Sequence, residues 1–155
     1  MTIQIVTSSF SCSHRSLAAI RCGNELTRRG HHVQAFVLDK CVPVERPIFP
    51  VFDASYGYLS QNVTIATDLM ALSAISQSPA SRDVFFYSWD LEWLSKGAFR
   101  WKDLASYYTK FPVLARSDSH ARVLRNTWNA IVVGVVPDFD AVDIEGVLLC
   151  SATNT

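Results

Sequence analysis

Two periodicities alternate along the chain. Short runs rich in β-branched residues, at 2–7, 32–38, 62–66, 83–87, 113–116 and 131–136, read as strands. Between them lie stretches with apolar positions at helical spacing. These are residues 13–29, with Leu17, Ala18, Ile20 and Leu26 on one side, then 68–77, a short helix from about Trp101, and 118–128. Gly30 follows the first helix, where a residue free to adopt positive φ is wanted. Asp68 is placed to cap the second helix, and Ser117 or Asp118 the last. Such alternation is what a parallel sheet covered by helices produces. The expected fold is a single Rossmann-like, three-layer α/β/α domain with a mostly parallel sheet, spanning residues 1–140.

Two stretches give no regular reading. Pro43, Pro47 and Pro50 break the chain after the second strand into an irregular excursion that continues to Leu59. Beyond Pro137 the pattern weakens, and residues 141–155 are read as a C-terminal tail with no assigned element. No internal repeat and no low-complexity segment interrupts the domain.

Composition narrows the function classes. The 155 residues are 49% hydrophobic and 12% aromatic, ample for one buried core. Lys plus Arg and Asp plus Glu both count 14, so no net field draws nucleic acid or an anionic membrane. The longest apolar runs, 131–137 and 147–150, fall short of the ~20 residues that span a bilayer. The N-terminus opens directly on a strand without secretion-signal features, so the expected location is cytoplasmic. Cys12, Cys22, Cys41 and Cys150 form no C-x-x-C pair and read as reduced thiols, with Cys22 and Cys150 packing as small hydrophobes. His14, His31, His32 and His120 lack metal-ligand spacing, so no metal site is expected. Asn62-Val63-Thr64 matches a glycosylation sequon but falls in an expected strand. Arg28, Arg29, His31 and His32 read as a solvated turn.

In an open parallel sheet, ligands bind where loops leave the carboxyl ends of strands, and three such loops carry polar chemistry. The first, residues 8–14, offers Ser9, Ser11 and Ser13 beside a helix start, with His14 placed as a base. It has no glycine, which argues against a dinucleotide fingerprint or a phosphate-cradling loop; a serine-rich capping loop is the plainer alternative. The second, residues 88–93, sets Asp90 and Glu92 among Ser88, Trp89 and Trp93. Carboxylates accept hydroxyl protons and an indole packs on sugar C–H groups, although an aromatic anchor with Asp90 as a cap uses the same residues. The third, residues 116–120, brings Arg116, Ser117, Ser119 and His120 to a helix start, where capping alone would explain most of them. No G-x-S-x-G hydrolase elbow is present.

Several segments then resemble one family. Leu26-Thr27-Arg28-Arg29-Gly30-His31-His32-Val33 is similar to the L-x-x-R-G-H-x-V phrase of GT-B-fold glycosyltransferases, especially those of glycosyltransferase family 4. Residues 63–68 resemble the family's v-I-A-T strand and turn, and 84–93 its strand ending in an aromatic, acidic loop. Residues 113–121 and 132–138 resemble the helix and the v-x-x-G-V-D strand that close its N-terminal domain. The resemblance runs in order over roughly residues 2–140. It implies the acceptor-binding half of a transferase that uses a nucleotide-sugar as substrate and needs no other cofactor. His14 and Asp90 would be catalytic. Ser9, Ser11, Ser13, Ser88, Trp89, Glu92, Arg116, Ser117, Ser119 and His120 would bind substrate.

The family's glycine-rich first loop corresponds to residues 9–14, which have no glycine. Its C-terminal domain, which holds the donor, has no counterpart in this chain. Three expectations follow: half of a split enzyme that works with a donor-binding subunit or as a homo-oligomer on a sugar-bearing or hydroxyl acceptor, a degenerate domain kept for binding, or a truncated piece. A rival class is a non-catalytic interaction module built on exposed Trp89, Trp93, Phe99 and Trp101. A third reading is a sensor holding a phosphorylated ligand at residues 9–14.

Overall fold

The computed structural model describes residues 1–11, 13–39, 42–54, 63–77, 83–94 and 100–152. Its seven strands are β1 (Thr2–Thr7), β2 (His32–Val37), β3 (Val51–Asp53), β4 (Val63–Ala66), β5 (Val84–Ser88), β6 (Val113–Ala115) and β7 (Val132–Val135). All are parallel, in the order β3-β2-β1-β4-β5-β6-β7. The helices are α1 (His14–Arg28), α2 (Leu69–Ser76), α3 (Trp101–Lys110), α4 (Asp118–Trp128) and α5 (Ala141–Ala152).

Strand side chains alternate between two cores, which is why both strand faces read as apolar. Ile3, Ile5, Val33, Ile65, Phe85, Tyr87 and Leu114 pack under α1 and α5. Val6, Phe36, Ala66, Val84, Phe86 and Val113 pack under α2, α3 and α4. The chain is therefore a Rossmann-like three-layer α/β/α domain. No helix among the described residues is long and apolar enough to cross a membrane.

Local signals set the helix ends. The Oγ of Ser13, the side chain of Asp68 and the Oγ of Ser117 accept the N–H groups of Ser16, Ala71 and His120 at the starts of α1, α2 and α4. At the far end of α1, Gly30 takes φ +90° and the Gly30 and His31 amides donate to Thr27 and Leu26 carbonyls, turning the chain into β2.

The described part of the proline-rich excursion docks onto α1 by side-chain contacts that no periodicity encodes. Asn24 Oδ1 accepts the Ile48 N–H at 2.8 Å and Asn24 Nδ2 donates to the Arg46 carbonyl. Phe49, 4% exposed, lies over Gly23. Residues 55–59 of that excursion, Asn62 of the sequon, Cys12, Cys41 and Phe99 lie outside the described residues.

Three expectations need correction. The excursion after β2 is not wholly irregular, since its residues 51–53 form β3 in parallel register beside β2. Residues 141–152 form α5, capped by Asp140, whose Oδ1 accepts the Val142 and Asp143 amides. Its apolar residues occur on both sides, with Val142 and Leu149 half-exposed, so no single stripe announced it. The basic cluster is a largely exposed turn as expected, with Arg28, Arg29 and His32 at the surface, but Arg29 and His31 also bind Glu145 of α5, with His31 Nε2 2.8 Å from Oε1. Those hydrogen bonds, His31 first, hold the Glu145 carboxyl below its ordinary range. Cys22 is buried as expected, but Cys150 is exposed.

Gly23 gives a test of the α1–excursion contact. A Cβ there would lie 2.4 Å from Phe49 Cε1. Helix propensity alone favours Ala over Gly by about 1 kcal/mol, whereas overpacking a filled core costs about 1–3 kcal/mol. Gly23→Ala should therefore lose up to about 2 kcal/mol in urea denaturation; a stabilised variant would show that Phe49 does not fill this space.

Candidate functional site

The strand order reverses between β1 and β4, which makes the crevice beyond their carboxyl ends the expected ligand position of such a sheet. In this chain its own carboxylates occupy that place. Asp68 Oδ2 accepts the Ser8 N–H at 2.8 Å and Thr7 Oγ1 at 3.4 Å, while Oδ1 accepts the Ala71 N–H at 2.8 Å. Asp68 thus ties the first loop to α2 as well as capping it. Glu92 reaches the same region: Oε2 accepts the Leu69 N–H and Oε1 pairs with Arg15, both at 3.3 Å. An incoming phosphate would meet two carboxyl groups where the backbone donors are already engaged.

Ser9 and Ser13 of the first loop are likewise used internally, while Ser11 is exposed and bonds through its N–H. Ser9 Oγ accepts the Ser11 N–H at 2.9 Å, the Ser9 carbonyl accepts Thr7 and Ser16 hydroxyls, and Ser13 caps α1. The loop has the geometry of a capping loop, and it leaves His14 exposed as the first residue of α1.

A different arrangement forms beyond β5 and β6. The second and third loops, nearly thirty positions apart in sequence, wall one open cleft of about 350 Å³. It is lined by Trp89, Asp90 and Leu91 on one side and Arg116, Ser117, Ser119, His120 and Val123 on the other. Adjacent pairing of β5 with β6 puts both loops at the same sheet edge. Asp90 and Ser119 are exposed at the rim, and Arg116, Ser117 and His120 are half-buried.

The other expected residues do not face this cleft. Ser88 is fully buried, its Oγ donating to the Asp90 carbonyl. Glu92 turns inward to Arg15. His14 lines a separate groove of about 470 Å³ between α1 and the start of α5, with Arg21, Asp138 and Asp140 on its walls. The indoles also differ from expectation. Trp89 is 2% exposed, and Trp93 is half-buried against Tyr108 and Trp128. Neither offers an open face for a sugar ring, and of the aromatics expected at an interface only Trp101 is exposed among the described residues.

Trp89 instead supports the cleft from below. Tyr87 meets it edge-on at 4.8 Å, Phe139 stacks on it at 5.8 Å, and the Arg116 guanidinium lies 5.7 Å from its ring centre. Arg116 also donates to the Trp89 carbonyl and to Asp138 Oδ1, each at 3.3 Å. Its carboxylate partner, Asp138, is largely exposed and belongs to the neighbouring groove. The Arg116 N–H points to His120 Nδ1 at 3.5 Å, which leaves Nε2 as the protonated nitrogen of a neutral ring. Burial holds this imidazole below its ordinary range, opposed by the Asp90 carboxylate and helped by Arg116. No group of three or more His, Cys, Asp or Glu side chains among the described residues is arranged to hold a metal ion.

Tyr87, Asp138 and Phe139 were not legible as site residues. After β7 the chain makes a tight turn, Pro137–Phe139, in which Asp138 (φ 49°) and Phe139 (φ 60°) are both left-handed, an unfavourable conformation for a bulky side chain. Tyr87 holds it: its hydroxyl donates to the Val136 carbonyl at 2.7 Å and accepts the Phe139 N–H at 3.0 Å. The one sequence signal was a tyrosine within an otherwise apolar strand.

No protein-family model matches the chain, and comparison with curated proteins finds no match. Function therefore has to be read from the chemistry of the site itself.

The tyrosine clamp is open to direct test. Tyr87→Phe leaves a buried N–H and carbonyl without their partner, at about 1–3 kcal/mol for each unsatisfied group. The variant should unfold at lower denaturant, with the amides of 137–139 exchanging faster; unchanged stability and exchange would mean that the turn is held by other contacts.

Proposed function

We propose that this protein is a carbohydrate-binding domain, the acceptor-side half of a GT-B-type glycosyltransferase, with the acceptor held in the cleft between residues 89–91 and 116–120. The observation that carries this reading is the joining of two separate polar loops into one cleft whose single arginine is already engaged by Asp138 and the Trp89 carbonyl. Hydroxyls of Ser117 and Ser119 and the carboxylate of Asp90 suit a ligand that both donates and accepts hydrogen bonds without net charge, with the His120 ring as part of the wall. A nucleotide diphosphate would need free positive charge, and at the sheet's switch point Asp68 and Glu92 already engage the backbone donors. The donor would accordingly be held by another domain or subunit. The resemblance of residues 2–140 to the N-terminal domains of such transferases supports the same division of labour. Asp90, the exposed carboxylate, is the residue of this cleft best placed to take a proton from an acceptor hydroxyl; His14 would act only on a group extending into its own groove.

A second reading, a non-catalytic interaction module, draws on α5, where half-exposed Val142 and Leu149 flank Gly146 on one outward face.

Calorimetric titration separates the two. The isolated chain should bind neutral oligosaccharides weakly and saturably, lose at least ~10-fold in affinity on Asp90→Ala, a change of about 1.4 kcal/mol, and show no heat with UDP-, GDP- or ADP-sugars. Absence of any carbohydrate binding would favour the interaction module. Tight binding of a nucleotide-sugar to this chain alone would contradict the acceptor assignment.

A further inference from the structure

The segment 89–94 walls the cleft with residues 89–91 and sends a buried acid, Glu92, toward two helix starts on its other side. The Glu92 side chain is only 7% exposed, yet Arg15 of α1 reaches its Oε1 and the first amide of α2, Leu69 N–H, reaches its Oε2, each at 3.3 Å. The remaining charged or titratable groups that face it are Asp68, 8% exposed, at the β4–α2 junction, Asp90 on its own segment, and Tyr108 of α3. One carboxyl group therefore bonds to α1 and to the start of α2 from the 89–94 segment.

We propose that Glu92 is a proton-controlled latch: ionised, it ties residues 89–94 to α1 through Arg15 and to α2 through the Leu69 amide, and protonated it releases Arg15.

The physical basis is a near balance of opposing forces on one group. Burial disfavours the charged form, and the Asp68 and Asp90 carboxylates add repulsion. Arg15, itself nearly half exposed, and a single backbone N–H favour the charged form. The outcome is a carboxyl pushed up to about 7, so the latch changes state across neutral pH. An ordinary glutamic acid, at about 4.3, would remain ionised throughout that range. The sign follows from linkage. With the folded value raised, the stability contributed by the neutral buried acid is full below the unfolded value and is lost as pH rises through about 7. The latched state on the alkaline side is thus the globally less stable one, although it holds the segment locally. Trp89 and Asp90 sit on the same segment, so the cleft wall is secured in the latched state; the latch operates whatever ligand the cleft takes.

The test is an NMR titration of the full chain between about pH 5 and 9. It follows the Glu92 side-chain carboxyl carbon, identified by its loss in Glu92→Gln, together with the Leu69 amide and the Arg15 Nε–H. All three should share one transition near pH 7, and Glu92→Gln should abolish it at Leu69 and Arg15. Arg15→Gln should move the carboxyl midpoint upward, since the attractive charge is gone. A Glu92 midpoint in the ordinary carboxylate range overturns the proposal, as does a neutral-range transition to which Leu69 and Arg15 do not respond. If Glu92→Gln fails to fold, Arg15→Gln decides: a midpoint that stays put or falls overturns the latch.

Discussion

The Trp89 indole is packed by Tyr87 and Phe139, faced edge-on by His14 at 6.1 Å and covered by the Arg116 guanidinium. These side chains come from β5, the turn after β7, α1 and the end of β6, so one ring fixes the relative positions of four segments at the carboxyl end of the sheet. Its Nε1 has no hydrogen-bond partner among the described residues. A lost hydrogen bond costs about 1–3 kcal/mol, whereas burying ~200 Å² of aromatic surface contributes about 5 kcal/mol. Packing wins, and the indole stays inside. The cleft above it is therefore a surface with a rigid floor, and the polar groups at its rim carry the recognition.

The same stack explains how the turn after β7 is tolerated. Two consecutive left-handed residues would not persist in a free loop. Burial of the Phe139 ring between Tyr87 and Trp89, together with both hydrogen bonds of the Tyr87 hydroxyl, supplies the compensating energy. In return the turn sets Asp138 beside Arg116 and Asp140 at the start of α5. A strained backbone, a paired guanidinium and a helix cap thus share one cause.

Much of this was readable from sequence, because local rules governed it. Six of the seven strands followed from β-branched runs, β3 lying in the stretch read as irregular; α2 followed from the Asp68 cap, and α4 from Ser117 through Trp128. The three polar loops were identified at the right end of the sheet because alternation of strand and helix dictates where chain direction brings them. What sequence could not convey was which way side chains turn. Trp89 and Trp93 look exposed in a loop but face two different cores, and Glu92 lies two positions from Asp90 yet points to the opposite side of the segment. Arg29 and His31 look solvated until Glu145 arrives from α5, more than a hundred residues later. Those pairings are long-range, and α5 itself lacked the one-sided stripe that would have announced it.

The measurement closest to the central claim is the location of ligand contact. Amide shift mapping of the labelled chain during titration with a neutral oligosaccharide should perturb Asp90, Leu91, Ser117, Ser119 and His120 together, with the residues of the first loop unchanged. Perturbations concentrated at residues 8–14 or around Asp68 would contradict the account, because they would put the ligand in the crevice that the chain's own carboxylates occupy.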